Sequence, residues 1–316
     1  MSSAETRAPH PHRHRILGWL AVILGTSVSM LWAFWGTLEN FHEGWLGPTL
    51  GWNLLWTLAY LAPALITMAM ALLALHWPRA GAAVYVAIGL GVSGWILKGR
   101  KLTIGLVMSW FPFTLVLCVI GLLFWFGRVR SRRWARRLII GLPLLTMAAY
   151  AVEPTLRIAG RIDDGDRSAR TVVGSGVDLV WAPAGPGWVR ESRDACDWQE
   201  AMRRVSLLSE DGTRLLSSPQ NLWRLPSADE AVRSMARHGR NCQGVWDQVS
   251  ELPEYDTRPD KESPLWDAQA PIIYWWTSTE KDAAHAYRIV YDGRVFLDPK
   301  TLRLGSLGFR AVKDAR

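Results

Sequence analysis

The chain has 316 residues, a net charge of +8, 49% hydrophobic residues and 19 tryptophans, and its mean hydropathy of +0.05 averages two unlike halves. Residues 16–152 are overwhelmingly apolar, and the residues after Arg157 have the composition of an ordinary folded domain, so the length fits two domains. The positive charge gathers at Arg7–Arg15 and Arg128–Arg137 beside apolar runs. That is the flank of membrane segments, and it argues against nucleic acid as a partner, which needs a basic face on a soluble fold.

Residues 1–15 read as a cytoplasmic tail. His10, His12 and His14 alternate there, but a short polar tail has no scaffold on which to build a metal site. Ile16–Leu38 carries no charge and is long enough to cross a bilayer. It exceeds the apolar core of a cleaved signal peptide. Four further apolar runs follow: Thr49–Leu75, Ala80–Leu97, Thr103–Phe126 and, shortest, Leu138–Val152. Trp32, Trp35, Trp45, Trp52, Trp77 and Trp125 lie near their ends, as in the aromatic belts of membrane interfaces. Residues 16–153 are therefore expected to form a multi-span α-helical region of about five helices, with the lipid bilayer as its partner.

Arg13 and Arg15 place the N-terminus on the cytoplasmic side, and so does the arginine run after four crossings. A fifth crossing puts the remainder outside the cytoplasm, in an inner (plasma) membrane. Lys98-Gly99-Arg100-Lys101 falls on the wrong side of this scheme, and if Leu138–Val152 does not span, the C-terminal domain is cytoplasmic instead. The apolar runs hold no Asp, Glu, Lys or Arg, which argues against proton- or ion-coupled transport. Glu39, His42 and Glu43 share a helical face, but with no further ligand nearby they read as an interface turn, not a metal site.

Residues 154–176 read as a linker and 177–316 as a second domain. Val177–Trp181 is a predicted strand. Asp194–Leu208 is a predicted helix with Trp198, Met202, Val205 and Leu208 facing the core. Trp223-Arg224-Leu225-Pro226 leads to Ser227 and Glu230, a capping box, and to a helix expected to run to His238 and stop at Gly239. Gln243–Ala270 reads as a long loop. Asp256, Asp260, Glu262 and Asp267 lie in it at spacings that fit no calcium loop. Ile272–Thr277 is a strand, Asp292-Gly293 joins two more as a hairpin, and Leu307–Val312 is the last. Cys196 and Cys242 are expected to be bridged if this domain lies in an oxidising compartment; two separate thiols are the alternative. Ser175 lacks the flanks of a hydrolase elbow, and Arg224 and Arg310 are expected in buried ion pairs, as with Asp229 or Glu230.

Trp-Arg-Leu-Pro-Ser-x-x-Glu at 223–230, Tyr274-Trp275-Trp276-Thr277-Ser278-Thr279, a strand pair and then Gly308-Phe309-Arg310 resemble, in that order, the formylglycine-generating (sulfatase-modifying factor) family. Asp194-Ala195-Cys196-Asp197-Trp198 is similar to a helix of the same family. The resemblance covers about Val177–Lys313 and implies an α+β, C-type-lectin-like fold. Its catalytic members place a cysteine pair, with copper, shortly before the terminal Gly-Phe-Arg strand. Ala284–Arg310 holds no cysteine, so no catalytic residue, metal or cofactor is carried over. The expected function is an integral membrane protein that displays a non-catalytic module outside the cytoplasm, binding an extracytoplasmic protein or glycan. The candidate binding surface is Trp246, Trp266, Trp275, Trp276 and His285. One alternative is an enzyme on exported substrates, with acid–base work at His285 and Asp282 or Asp292; the other is a channel or assembly subunit.

Overall fold

The computed structural model describes residues 11–43, 49–98, 103–188 and 195–315. Seven helices lie among them, and the chain divides into two compact units, one holding the helices through Thr155 and the other built on Leu156–Arg316.

In the first unit, α1 (Pro11–Glu43), α2 (Leu50–His76), α3 (Pro78–Leu97), α4 (Ile104–Phe126) and α5 (Arg132–Ala159) follow one another. Among the described residues four helices are long and apolar enough to cross a membrane, within α1, α2, α3 and α5; α4 adds the shorter apolar stretch Thr114–Phe126. Outward residues such as Leu20, Leu54, Leu90 and Leu145 are exposed and apolar, and the inward face carries small residues: Ala21, Ala64, Ala71, Ala74 and Ala82 are buried. That is the reverse of a water-soluble bundle and suits helices that pack by close approach in lipid. Gly18 shows why: a Cβ there would lie 2.7 Å from the Arg128 backbone. Two buried hydroxyls are satisfied within their own helices, Ser29 Oγ donating to Gly25 O at 3.0 Å and Thr37 Oγ1 to Ala33 O at 2.7 Å. The last run was expected to stop at Glu153-Pro154. Instead α5 continues through Pro143 and Pro154 to Ala159, because a long apolar helix tolerates the lost hydrogen bond of an internal proline.

The second unit holds two main sheets. β1 (Arg170–Gly174), β2 (Val177–Trp181) and β11 (Val312–Asp314) form an antiparallel sheet in the order β1-β2-β11. The other has the order β10-β7-β8-β9, from β7 (Tyr274–Glu280), β8 (His285–Val290), β9 (Val295–Pro299) and β10 (Leu307–Gly308). β10 is parallel to β7 and the rest is antiparallel. The expected single strand Leu307–Val312 is thus two short ones. Phe309–Ala311 carries the chain from one sheet to the other, with Phe309 N bonded to Gly187 O and Ala182 N to Ala311 O. Strand β1 falls in the stretch expected as linker.

Helices α6 (Trp198–Ser206) and α7 (Ala228–Ser234) pack on these sheets. Asp194, where the helix was expected to start, lies outside the described residues; Asp197 caps α6, accepting from Glu200 N at 2.9 Å. Ala201 and Val205 face inward and Met202 is 40% exposed, since the buried stripe runs through Trp198, Ala201 and Val205 at helical spacing. The capping box is present: Glu230 N donates to Ser227 Oγ at 3.1 Å and Ser227 N to Glu230 Oε2 at 2.7 Å. The helix stops at Ser234, short of the expected His238. His238 and Gly239 have φ of 50° and 72°, which a two-residue hairpin turn requires, and they join β3 (Ala236–Arg237) to β4 (Arg240–Asn241). The expected long loop contains a further hairpin, β5 (Val245–Asp247) with β6 (Leu252–Glu254).

Candidate functional site

The motif stretches converge on a tryptophan core. Trp266 stacks on Trp275 with ring centroids 3.5 Å apart and planes 4° from parallel. Trp181 lies 5.6 Å from Trp275, and Trp188 meets it edge-on at 6.2 Å. Arg310 enters this cage fully buried, with its guanidinium 3.8 Å over Trp188 and 5.8 Å over both Trp181 and Trp275. Its Nε donates to Ala182 O at 2.8 Å, and its Nη1 to Leu265 O and, at 3.3 Å, Pro264 O. No carboxylate pairs with it among the described residues, and its Nη2 has no hydrogen-bond partner there. Burial pushes its pKa well down, as it must for a cation taken out of water.

An ion pair therefore forms at one arginine only, and there it is exposed, not buried as expected, with the Arg224 side chain 45% accessible. Arg224 makes a two-pronged bridge to Glu230, 2.7 Å on each arm, and reaches Asp314 at 3.2 Å. Arg310 is held instead by carbonyls and indole faces, and Asp229 pairs with Arg233 at 2.8 Å. The reason is position: Glu230 opens α7 beside Arg224, whereas Arg310 lies in the crossover between sheets, walled by indoles.

The candidate binding residues do not make an exposed surface. Trp246, Trp266, Trp275 and Trp276 are 8% exposed or less. Trp276 Nε1 donates to Cys196 O at 3.0 Å, whereas the Nε1 groups of Trp246, Trp266 and Trp275 meet no partner among the described residues. These residues are the core itself, because strand alternation turns Trp275 to one side of β7 and Trp276 to the other, and both faces of β7 are covered. Only His285 is accessible. Its Nδ1 lies 3.0 Å from both Asp282 oxygens, and its backbone N and that of Ala284 also donate to Asp282 Oδ1. The Ala284 amide, with His285 next, holds the Asp282 carboxyl below its usual range. Asp292 lies at the far end of β8. Desolvation pushes its carboxyl up most, but Arg294 and Arg258 together outweigh that and bring it below its usual range. The imidazole is thus paired with Asp282, on a surface turn.

The cysteines are not bridged. Cys196 and Cys242 are free and buried, Cys196 beside Trp223 and Trp276 and Cys242 beside Val232, Met235 and Trp246. They belong to different hydrophobic clusters, which is why α6 and β4 do not bring them together. Burial pushes the Cys242 thiol up to about 11, so it stays protonated and weakly nucleophilic. Three of the four acids in the loop are likewise committed to structure: Asp260 accepts from Arg161 at 2.8 Å and lies 3.5 Å from Arg157, Asp267 accepts from Arg167 at 3.1 Å, and Glu262 takes the Ile162 amide at 3.0 Å; Asp256 is exposed. Among the described residues no group of three or more His, Cys, Asp or Glu could hold a metal ion; the Glu43 side chain lies outside them. Ser175 occupies the β1–β2 turn with φ 51°, within hydrogen-bonding distance of Asn241 and Gln243.

What the sequence missed is the strap formed by residues 161–170. Ser263 N donates to Ile162 O, Ser263 Oγ to Asp164 Oδ1 at 2.9 Å, and Ala184 N to Arg167 O. The alternation of Asp and Arg in that stretch was its one visible sign, and composition alone gives the same reading to a solvated linker. Comparison with family models, with curated proteins and with solved structures finds no match for the chain.

Proposed function

We propose that the protein is an integral membrane protein that presents a sulfatase-modifying-factor-like, C-type-lectin-like module for binding a protein or glycan. It would lie in the inner (plasma) membrane, with the N-terminus cytoplasmic and the module outside. The observation that carries this reading is that the three motif stretches meet in one core. Ser278 N donates to Pro226 O, Ala228 N to Thr279 Oγ1 at 2.9 Å, and Arg310 lies against Trp275. The thiols support binding over thiol chemistry, since Cys196 and Cys242 are buried in separate clusters.

The β5–β6 hairpin is the best candidate for a contact region. Val245, Val249 and Leu252 are exposed by 51%, 93% and 62%, while Trp246 anchors the hairpin from behind against Tyr287. The test is binding of full-length protein in lipid nanodiscs to arrayed cell-envelope glycans and exported peptides, with mass spectrometry of each captured ligand. Retention of an unchanged ligand, lost in Val249→Asp/Leu252→Asp, is the expected result. A covalent change in the ligand that survives in that variant but disappears in His285→Ala would replace this reading with the enzymatic one.

A further inference from the structure

The first unit carries a cationic cleft whose arginines meet no carboxylate among the described residues. It has a volume of about 500 Å³ and is lined by His76, Trp77, Pro78, Arg79, Ala80, Arg128 and Arg132, a size within the range of small-ligand sites. The lining comes from the end of α2, the start of α3, the link after α4 and the start of α5. That end of the bundle is fixed by local bonds: Arg128 N donates to His14 O at 2.9 Å, and Arg136 Nη2 lies 2.9 Å from His76 Nε2. His76 Nδ1, 2.9 Å from Leu72 O, then carries the ring proton.

The sequence holds no Asp or Glu between Glu43 and Glu153, and Arg79, Arg128 and Arg132 pair with no carboxylate among the described residues. Glu39 stands about 38 Å along α1 from His14, and Glu153 about 32 Å along α5 from Arg132, at 1.5 Å of rise per residue. Both distances are at least the thickness of a bilayer's apolar core, about 30 Å. Among the described residues, no carboxylate supplies the counter-charge for this end. Trp77 and Trp134 are exposed at the same level, by 66% and 60%, as indoles are in the headgroup layer.

We propose that this cleft binds the phosphate of an anionic phospholipid headgroup, with Arg79, Arg128 and Arg132 as its donors. Guanidinium groups suit phosphate oxygens through paired N–H donors, and the apolar helix faces just beyond the cleft receive the acyl chains.

The test uses full-length protein in non-ionic detergent and counts bound lipid by native mass spectrometry, with phosphatidylglycerol against phosphatidylcholine. Wild type is expected to retain phosphatidylglycerol preferentially. Arg79→Gln/Arg128→Gln/Arg132→Gln should lose it by about a hundredfold, at about fivefold per arginine. Arg130→Gln/Arg133→Gln/Arg137→Gln removes the same charge outside the cleft and should keep it. Equal loss in both triple variants would mean diffuse attraction and overturn the site. Displacement of the lipid by millimolar inorganic phosphate would assign the cleft to a free anion and overturn the lipid reading. If the cleft variant is not recovered folded, Arg132→Gln alone decides, with about a fivefold loss expected and no loss overturning the proposal.

Discussion

The guanidinium of Arg310 lies 3.8 Å from the centre of the Trp188 ring and meets no carboxylate among the described residues. A buried cation without a counter-ion is costly unless its hydrogen bonds and ring contacts offset the lost hydration. Arg310→Ala should destabilise the second unit by about 3 kcal/mol, because it opens a cavity and leaves the carbonyls of Ala182 and Leu265 unpaired. Arg310→Met fills most of that cavity and removes the desolvated charge but leaves the same carbonyls unpaired, so it should cost less than Arg310→Ala without becoming neutral. The rate at which buried Cys242 reacts with a thiol reagent in rising urea reads this out. Equal losses in the two variants would show that the charge, not the packing, matters most.

Asp260 joins the strap to the domain by ion pairs with Arg161 and Arg157, its side chain fully buried. Asp260→Asn should cost about 3–5 kcal/mol, since it strands two arginines in a poorly solvated site. Limited proteolysis around Gly165 should become faster in that variant. Unchanged cleavage would mean that the backbone bonds of Ile162, Asp164 and Arg167 hold the strap unaided.

Glu230 links α7 to Arg224. Desolvation is the largest influence on its carboxyl and raises it, but the Arg224 bridge and the Ser227 amide together bring it below its ordinary value. A depressed carboxylate lends stability at pH values above its unfolded pKa of about 4.3, and that stability fades as pH falls through the folded value. The difference in urea midpoint between wild type and Glu230→Gln should therefore be constant near neutrality and shrink below about pH 4. A difference that persists undiminished at pH 3 would assign the effect to helix capping rather than to charge.

The cysteines bear on topology by their silence. Buried Cys196 and Cys242 should not react with an impermeant maleimide on intact cells, and reductant should not alter the protein's melting. Val249→Cys, at a position 93% exposed, should be labelled from outside if the module is displayed there. Labelling only after lysis would place it on the cytoplasmic side.

Local patterns made some of this legible. The β2 alternation, the Ser227–Glu230 capping box and the Asp292-Gly293 turn depend on neighbours a few residues apart, and each lies where its spacing puts it. The α7 terminus was misread because His238-Gly239 suits either a helix stop or a hairpin turn, and only the pairing of Ala236 with Asn241 chooses between them. The tryptophans were misjudged as a surface because an indole-rich stretch reads alike whether it faces solvent or core.

By itself the sequence determined that the first half is built for lipid and that most of its positive charge collects at Arg7–Arg15 and Arg128–Arg137. Hydrophobic runs, and the absence of Asp and Glu between Glu43 and Glu153, are properties of the chain, independent of how it packs. Only the tertiary structure decided that Cys196 and Cys242 occupy separate clusters, that Arg310 is caged by indoles and that residues 161–170 form a strap. Each of these depends on residues far apart in sequence, 128 positions for Arg310 and Ala182, being brought together or held apart by the tertiary fold, and no local spacing encodes such a meeting.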